Sequence, residues 1–475
     1  MAERIADELA GVDLGDERLN RRSCKVLESL AANPQASING AVNGWGDTQA
    51  AYRFFSNPRV TPEQILQPHC VATMQRMQAQ SVVLVVLVVQ DTTELDYSDH
   101  PMDDARCLNA EHRYGVYQHV QLAVTPDRLP LGVVGTHTFD RDPKTLGQDP
   151  PTKRAQKKLP IEQKESGRWL EGYRQACVMA AECPTTHVIS VADREADIYD
   201  IFLEAQTQEQ AGRQVDYLIR AHENRSTPEV NREVSRRTYI KIRDTIDRSP
   251  VLAVQTQELS ATPRRAARQA KLEIRALRTE VKPPNHRPGL DVITHHVILV
   301  QEVDGPHDGT DVCWLLVTTL PIETVEQITT AVDYYAARWT IETYFRVLKT
   351  GCRVEEIQLE TKTRMLNCVA MYQIIAWRIL YLTYLNRTCP QLPCTTVFID
   401  QEWQPTWQIV HKTKPPDTPP TLNEFTTILT HLGGYNNRAT EPAAGPQPLW
   451  TGLRRMLDFS LAWITFQETY ENVCK

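Results

Sequence analysis

The stretch SVVLVVLVVQD, residues 81–91, decides the class of fold. Its β-branched and leucine residues run without polar alternation, so they predict a central strand that is buried on both faces. The run leaves the apolar layer at Gln90 and places Asp91 at the predicted end of the strand. Acidic residues at strand ends beside a buried sheet are where an α/β fold places its chemistry. Taken alone, such an aspartate is more often a turn or N-cap residue.

A second acidic residue follows another predicted strand in HVISVADREAD, residues 187–197. Val188, Ile189 and Val191 form a short buried strand, and Asp193 stands at its carboxyl end. Asp197 begins a helix-like stretch. The turn or N-cap interpretation is again the alternative for Asp193 by itself.

The stretch YYAARWTIETYFRVLK, residues 334–349, predicts a helix with two distinct stripes. Ile341, Phe345 and Leu348 form an apolar stripe that can pack on a core. Spacings of three, four, four and three residues put five polar side chains on the adjacent stripe: Tyr335, Arg338, Glu342, Arg346 and Lys349. A carboxylate among cations and a phenol suits a metal-dependent site for phosphodiesters. Alone, the helix is also explained as a solvated, salt-bridged face.

These three segments together resemble the DDE transposases of the IS-four family, to which the Tn-five transposase belongs. The matching motifs, in chain order, are DTTELDY, DREAD and Y-x2-R-x3-E-x6-K. Further similar segments make the resemblance cover nearly the whole chain: GDERLNRR (15–22), GWGDTQAAYRFFSNPRV (44–60), KESGRW (164–169), CWLLVTT (313–319) and LGGYNNR (432–438).

The resemblance implies a role for each matching residue. Asp91, Asp193 and Glu342 correspond to the family's catalytic carboxylates, which would hold two Mg²⁺ ions, with Mn²⁺ expected to substitute. The residues expected to bind DNA phosphates are Tyr335, Arg338, Arg346, Lys349 and Arg220. Trp314 resembles an aromatic residue that stacks on a flipped base when a DNA hairpin forms. The alternative for Trp314 is an ordinary core residue in the apolar run CWLLV.

The resemblance also implies an activity and partners. We expect a cut-and-paste transposase that binds transposon ends, cleaves them and joins the 3′ ends to target DNA. Double-stranded DNA is the expected partner, both as terminal repeats and as target, and a homodimer is expected in the synaptic complex. Two alternatives remain open. One is a ribonuclease-H-like nuclease or resolvase that cuts without joining, and the other is a DNA-binding protein that has lost catalysis.

Composition is consistent with these expectations. The 475 residues, a hydrophobic fraction of 41% and a mean hydropathy of -0.41 indicate a soluble globular protein of two to four domains. The apolar run at 82–89 is too short to span a bilayer, so no membrane partner is expected. Eleven cysteines without a CxxC pair favour a reducing cytoplasm. The family resemblance implies that this cytoplasm is bacterial and that the protein is associated with the nucleoid. Cys389 and Cys394 are interpreted as loop thiols.

The net charge of -7 argues mildly against nucleic acid, but the charge is uneven along the chain. Residues 201–300 contain 17 Lys and Arg against 12 Asp and Glu. Such a cluster could supply phosphate contacts, or it could be an ordinary solvated face. The cluster includes Arg236, Arg237, Arg264, Arg265, Arg268 and Lys271.

The predicted fold is α/β, with a ribonuclease-H-like catalytic core, a mostly β insertion, and helical N-terminal DNA-binding and C-terminal domains. In the N-terminal domain, we expect Arg18, Arg21, Arg22 and Arg53 to be exposed. The domain boundaries predicted from composition and pattern are 1–75 (end-binding), 76–227 (core, first part), 228–310 (insertion), 311–388 (core, second part) and 389–475 (dimerisation).

Overall fold

The structure is a computed structural model, and it divides into two compact units. The first comprises Met1–Gln80, Thr92–Gly147 and Thr340–Lys475, and the second comprises Ser81–Asp91 and Gln148–Trp339. The five domains predicted from the sequence follow other boundaries and stay a prediction. The structure describes residues 5–42, 44–79, 85–141, 159–212, 215–231, 238–259, 265–287, 289–436 and 444–473.

Helices and strands occupy most of the described chain. The α-helices are α1 (Glu17–Ala32), α2 (Ile38–Ala41), α3 (Gly44–Phe55), α4 (Pro62–Gln78), α5 (Gly167–Glu182), α6 (Tyr199–Gln210), α7 (Ile242–Ile246), α8 (Val325–Ala337), α9 (Trp339–Arg346), α10 (Lys362–Thr388), α11 (Asp400–His411), α12 (Leu422–Leu432) and α13 (Pro446–Val473). The strands are β1 (Val85–Asp96), β2 (Gly115–Val124), β3 (Pro130–Phe139), β4 (His187–Ala192), β5 (Asp216–Arg220), β6 (Ser226–Asn231), β7 (Thr238–Lys241), β8 (Ala253–Leu259), β9 (Arg268–Val281), β10 (Ile293–Val303) and β11 (Cys313–Thr318).

The second unit is built on a sheet whose strands follow the order β1-β4-β5-β11-β10-β9-β8. β1, β4 and β5 are parallel, and β11 returns antiparallel to β5. Residues 86–89 of β1 are fully buried, as expected for a strand covered on both faces. The prediction of an α/β fold with a buried central strand is therefore confirmed.

The predicted β insertion is found, but it does not form a sheet of its own. It contains the strands β8, β9 and β10. They continue the core sheet because β10 pairs antiparallel with β11 over six residue pairs, from His296↔Thr318 to Gln301↔Cys313. Only β6 and β7 form a separate two-stranded sheet in the described residues.

In the first unit, β2 and β3 form an antiparallel hairpin and continue the sheet from the later part of β1. Four helices precede it. α1 begins as predicted, with the Asp16 side chain accepting a hydrogen bond from the Arg18 N–H. Val26, Leu27 and Leu30 are buried. The four N-terminal arginines expected at the surface are exposed or partly exposed: Arg18, Arg21, Arg22 and Arg53.

A buried polar network anchors the N-terminal segment of the first unit. The Glu8 carboxylate accepts hydrogen bonds from Arg76 Nη1 at 2.8 Å and contacts His69 Nδ1 at 2.5 Å. His69 Nε2 accepts the Val133 N–H at 3.0 Å, so the ring is neutral and donates from Nδ1 to Glu8. Arg76 also lies over the ring of Trp377, 4.3 Å from its centroid. The network joins the N-terminal segment to α4, β3 and α10.

α10 is a long apolar helix. By length and composition it could span a membrane, but 89% of its most apolar window is buried inside the protein. Asn367 in this helix donates to the carbonyls of Phe55 and Val60. These contacts are those of a core helix.

Three helices form the C-terminal part. α12 begins at the predicted position, where Thr421 and Glu424 form a capping box. α11 was not predicted, since Pro405 lies inside it and proline usually argues against a helix interior. Of the two predicted loop thiols, Cys389 is exposed and Cys394 is buried.

Candidate active site

Asp91 and Asp193 stand at matching positions, where the pairing of two neighbouring parallel strands stops. β1 and β4 pair in register up to Gln90↔Ala192, and the two aspartates are the next residues on each chain. Neighbouring strands lie about 4.8 Å apart. Gln90 donates to Ser190 on one face of the sheet, and successive side chains alternate between faces. Because Asp193 keeps an extended backbone, both aspartates point to the opposite face.

One detail of the Asp91 prediction is wrong. β1 does not end at Asp91 but continues to Asp96, so Asp91 lies inside the strand at the point where pairing with β4 stops. The sequence misled because the apolar run ends at Gln90, whereas the backbone stays extended beside β2 through TTELD. The end of β1 is set by its backbone hydrogen bonds to β2, and not by the end of its run of apolar residues.

Asp193 also acts as an N-cap, as the alternative interpretation held. Its Oδ1 accepts a hydrogen bond from the Glu195 N–H at 2.8 Å and starts a short 3₁₀ turn, Arg194–Ala196. Glu195 in turn binds Arg168 Nη2 at 2.6 Å. Arg168 belongs to the KESGRW segment, which explains why that motif accompanies the second aspartate. A carboxylate has two oxygens, so a capping role and a metal-binding role are compatible.

Arg338 forms an ion pair with the first aspartate. Its Nη1 lies 2.8 Å from Asp91 Oδ2, with the two side chains 8% and 19% exposed. Tyr335 lies one turn earlier and is fully buried. Burial raises the pKa of Tyr335, Arg338 and Arg220 lower it, and the charge of Asp193 raises it again. The predicted residues of the second unit therefore share one electrostatic environment.

Three aromatic rings line this part of the second unit. Trp314 lies 5.3 Å from Tyr335 and 5.4 Å from Trp339, measured between ring centroids. Trp314 is 5% exposed, which matches the alternative of a core residue, whereas Trp339 is 39% exposed. The guanidinium of Arg338 lies 5.3 Å from the ring of Trp339. The sequence analysis missed Trp339, although it directly follows Arg338 in the signature helix.

Arg220 ends β5, as predicted, and donates from Nη2 to the Cys313 carbonyl at 3.0 Å. The loop after it is fixed by Asp197. Its Oδ2 accepts the His222 and Glu223 N–H groups, and its Oδ1 accepts two hydrogen bonds from Arg225. Asp197 therefore has a structural role that holds the chain beyond Arg220.

Glu342, Arg346 and Lys349 lie in the first unit, on a helix less regular than predicted. The apolar stripe of this helix is buried, and Glu342 and Arg346 are exposed. The helix is not α-helical throughout, because α9 ends at Arg346 and a π-helical turn, Val347–Gly351, carries Lys349. Lys349 Nζ binds the Glu94 carbonyl at 2.9 Å and Glu355 Oε1 at 3.0 Å.

Across the described residues, no three His, Cys, Asp or Glu side chains are grouped so that they could hold a metal ion. The three-carboxylate site therefore stays a prediction. Its donor chemistry fits a hard divalent cation, since Asp91 and Asp193 offer oxygens from one face of one sheet. Neither a thiol nor an imidazole is among the predicted ligands, so the set does not suit a structural zinc site.

Part of the basic cluster at 201–300 is paired with carboxylates within the second unit. Arg268 binds Glu302 through two hydrogen bonds of 2.9 Å, and Lys271 is exposed. Arg236, Arg237 and Arg264 lie outside the described residues. Other arginines of this stretch are paired with carboxylates: Arg225, Arg243, Arg275 and Arg287. The local excess of positive charge is therefore a weaker sign of a DNA surface than the count suggested.

Three family models match the chain one after another. Residues 1–60 match the transposase DNA-binding model, residues 152–377 match the transposase DDE domain, and residues 374–471 match the transposase Tn5 dimerisation domain. The DDE match contains Asp193 and Glu342 but begins after Asp91. It confirms the ribonuclease-H-like class of the core and makes the protein a DNA-cleaving, strand-transferring enzyme that uses divalent metal ions. The chain binds DNA, dimerises and belongs to the Tn5-like DDE transposases.

Proposed function

We propose that this transposase works by a cut-and-paste mechanism, in which it frees both transposon ends and joins them to target DNA. The observation that carries the proposal is the pair of aspartates, Asp91 and Asp193. They leave adjacent parallel strands toward one face of the sheet, with Arg338 bound to the first. This arrangement offers oxygen ligands for a cation and a guanidinium for a phosphate in the same place.

Asp91, Asp193 and Glu342 would hold two divalent ions, which we propose to be Mg²⁺, with Mn²⁺ as a substitute. When bound, the ions would activate the attacking oxygen and stabilise the leaving oxygen. Carboxylate oxygens suit Mg²⁺ because it is a hard cation that retains water.

On the DNA strand that is transferred, the reaction has two balanced steps, and release of the transposon also requires cleavage of the complementary strand. First, a water oxygen attacks the phosphorus at the transposon end and the bond to the 3′ oxygen breaks. This leaves a 3′-hydroxyl on the transposon and a 5′-phosphate on the flanking DNA. Second, that 3′ oxygen attacks a target phosphorus and displaces the target's own 3′ oxygen. The residues proposed to hold the phosphates in line for both steps are Tyr335, Arg338, Arg346, Lys349 and Arg220.

We propose that a base flipped out of the DNA would meet the Trp314–Tyr335–Trp339 cluster if hairpin formation separates the two steps. Trp314 was the expected platform, and its burial means that it would act behind Trp339. The ring of Trp339 is 39% exposed, and stacking on a base would use this exposed part.

DNA recognition and assembly complete the proposal. The exposed arginines of the N-terminal helices would contact the terminal repeats, and the C-terminal part would pair two protomers in the synaptic complex. The protein would act in the bacterial cytoplasm on nucleoid DNA.

A cleavage and strand-transfer assay tests the proposal directly. Labelled DNA carrying the element's own ends is incubated with Mg²⁺ and either the wild type or Glu342→Ala. Nicks at the ends and joined products are expected in the wild type and not in the variant. Glu326→Ala, which removes an exposed carboxylate from α8, is the matched control and should keep full activity. Cutting without joining would favour the nuclease alternative, and equal activity of Glu342→Ala would reject Glu342 as a ligand.

A further inference from the structure

Lys349 lies where the signature helix changes its winding. α9 gives way to the π-helical turn Val347–Gly351, closed by a hydrogen bond from the Cys352 N–H to the Val347 carbonyl at 2.9 Å. Such turns often occur at functional sites because they change the direction of one side chain. The turn alone does not hold a flexible lysine in place.

The chain reverses directly after this turn. Arg353 has a left-handed backbone, with φ 52°, and the 3₁₀ turn Val354–Glu356 follows. Val354 is completely buried and fixes that turn to the core. Glu355 is thereby brought to Lys349, with Oε1 3.0 Å from Nζ.

The same Oε1 atom of Glu355 has a second partner. It accepts a hydrogen bond from the Asp96 N–H at 2.9 Å. The end of β1 therefore fixes the position of the Glu355 carboxylate, which in turn binds Lys349. The ammonium also donates to the Glu94 carbonyl, which belongs to the same strand end. Lys349 is therefore fixed by one strand end, once directly and once through Glu355.

The other acidic side chains nearby are occupied by Arg113. Its Nη2 binds Glu94 Oε2 at 2.9 Å and Asp96 Oδ2 at 2.7 Å. Burial would raise the pKa of Asp96, but hydrogen bonds from Ser98 and Arg113 outweigh it and hold that pKa below its usual range. Glu355 is thus the carboxylate that pairs with Lys349.

We propose that Glu355 is a positioning residue for catalysis, which orients the Lys349 ammonium toward a DNA phosphate. An ammonium has three N–H donors. Among the described residues, Glu94 and Glu355 accept two of them, and the third is left for a phosphate oxygen. This inference rests on the proposed role of Lys349 as a phosphate-binding residue.

The charges of the cluster give a test that separates positioning from simple stability. The cluster contains two cations and three carboxylates, so it carries a net negative charge. The cations are Arg113 and Lys349, and the carboxylates are Glu94, Asp96 and Glu355. Removing the charge of Glu355 should leave DNA binding as tight as before or tighter, since phosphates are repelled less. Losing its hydrogen-bonding oxygen should slow cleavage. Damage to the fold would instead weaken both.

The experiment compares Glu355→Ala with Glu355→Gln in the full-length protein, using end DNA and Mg²⁺. Single-turnover cleavage should fall about tenfold in the alanine variant, the cost of about 1.4 kcal/mol of lost positioning. Glutamine keeps the oxygen and should stay within about threefold of the wild type. Both variants lose the same charge, so their DNA affinities should be equal. Glu356→Ala, which removes a neighbouring charge paired with Arg353, is the matched control and should cleave normally.

The same comparison in a Lys349→Met background completes the test. There, Glu355→Ala should cause no further loss of cleavage, because the residue it positions is absent. An equal loss in both backgrounds, or a glutamine variant as slow as alanine, would overturn the inference. Full activity of Lys349→Met would instead reject the proposed role of Lys349 itself. If alanine unfolds the protein, Glu355→Asp, which keeps the charge but shortens the reach, should reproduce the slow cleavage.

Discussion

Arg338 and Asp91 form an ion pair across 247 residues of sequence, with Nη1 2.8 Å from Oδ2. Both side chains are largely buried, and each charge compensates the other. The pair also links two of the predicted site residues, one expected to bind a metal and one expected to bind a phosphate. Replacement of Arg338 should therefore destabilise the protein, and a cation bound at Asp91 should offset part of this loss.

We expect Arg338→Met to lower the free energy of unfolding by about 3 kcal/mol in the absence of metal, because it removes a cation bound to the largely buried carboxylate of Asp91. Millimolar Mg²⁺ should recover part of that loss, since the ion then compensates the carboxylate. Urea unfolding with and without Mg²⁺ measures both effects. Arg346→Met, at an exposed position, should change the free energy by no more than about 0.5 kcal/mol. A loss unaffected by Mg²⁺ would argue against a metal at Asp91.

Mg²⁺ should raise the melting temperature of the wild type. When the free Mg²⁺ concentration is about ten times the dissociation constant, binding of one ion adds about 1.4 kcal/mol to the free energy of unfolding. Asp91→Asn and Asp193→Asn should each reduce the shift, because the amide oxygen is a weaker ligand than the carboxylate. Asp127→Asn, in an exposed turn, should keep it. Thermal unfolding across a Mg²⁺ titration measures the shift, and an unchanged shift in both site variants would contradict a metal at these positions.

The two tryptophans of the aromatic cluster should respond differently to truncation. Trp314→Ala should destabilise the protein by about 3–5 kcal/mol, as expected for a large buried side chain. Trp339→Ala should cost little stability but weaken binding of DNA with an unpaired end base by about 1–3 kcal/mol, the value of one stacked base. Chemical unfolding and fluorescence anisotropy measure the two effects. If Trp339→Ala binds such DNA normally, its exposed ring has no stacking role.

The network of Glu8, His69 and Arg76 should make stability depend on pH. Burial would raise the pKa of Glu8, but His69 and Arg76 together lower it from 4.5 to about 2. Burial lowers the pKa of His69 below 6.5. Both groups therefore favour folding in their deprotonated forms. The contribution of His69 is lost as pH falls below 6.5, and that of Glu8 is lost as pH falls from 4.5 toward 2.

His69→Gln tests this pH dependence. At pH 7 the variant should be less stable by about 1–3 kcal/mol, because buried hydrogen bonds are lost. Its stability should then change less than that of the wild type between pH 7 and 5, since the titrating ring is gone. Urea unfolding over that range measures both slopes. His112→Gln, at an exposed site, should keep the wild-type slope, and a parallel slope for His69→Gln would contradict the assignment.

The sequence predicted those features that local pattern encodes. The mostly β insertion was predicted at residues 228–310, where β8, β9 and β10 are found, and the continuous apolar run located the buried part of β1. It could not show that β1 continues past Asp91, because pairing with β2 is a long-range property. The π-helical turn at Lys349 was not predicted either. The contacts of Lys349 with Glu94 and Glu355 are made with residues outside the helix, and the helical pattern does not encode them.

The chemistry-bearing residues were predicted unevenly. The family motifs assigned Asp91, Asp193 and Arg338 to one predicted site. In the structure, Asp91 forms an ion pair with Arg338. Trp339 and Glu355 were missed because nothing in their local pattern differs from an ordinary helix or turn. Their significance lies in exposure and in hydrogen bonds to distant strands, which a single sequence does not encode.

The way the insertion joins the core sheet limits how the protein can be trimmed. A shortened catalytic fragment that lacks residues 228–310 would remove β10 from its six pairings with β11. The backbone groups of an apolar strand, CWLLVT, would then form a bare sheet edge. Such an edge recruits other strands, so the fragment should precipitate or form fibrils when it is expressed. Engineers who seek a minimal transposase would have to redesign β11 before removing the insertion.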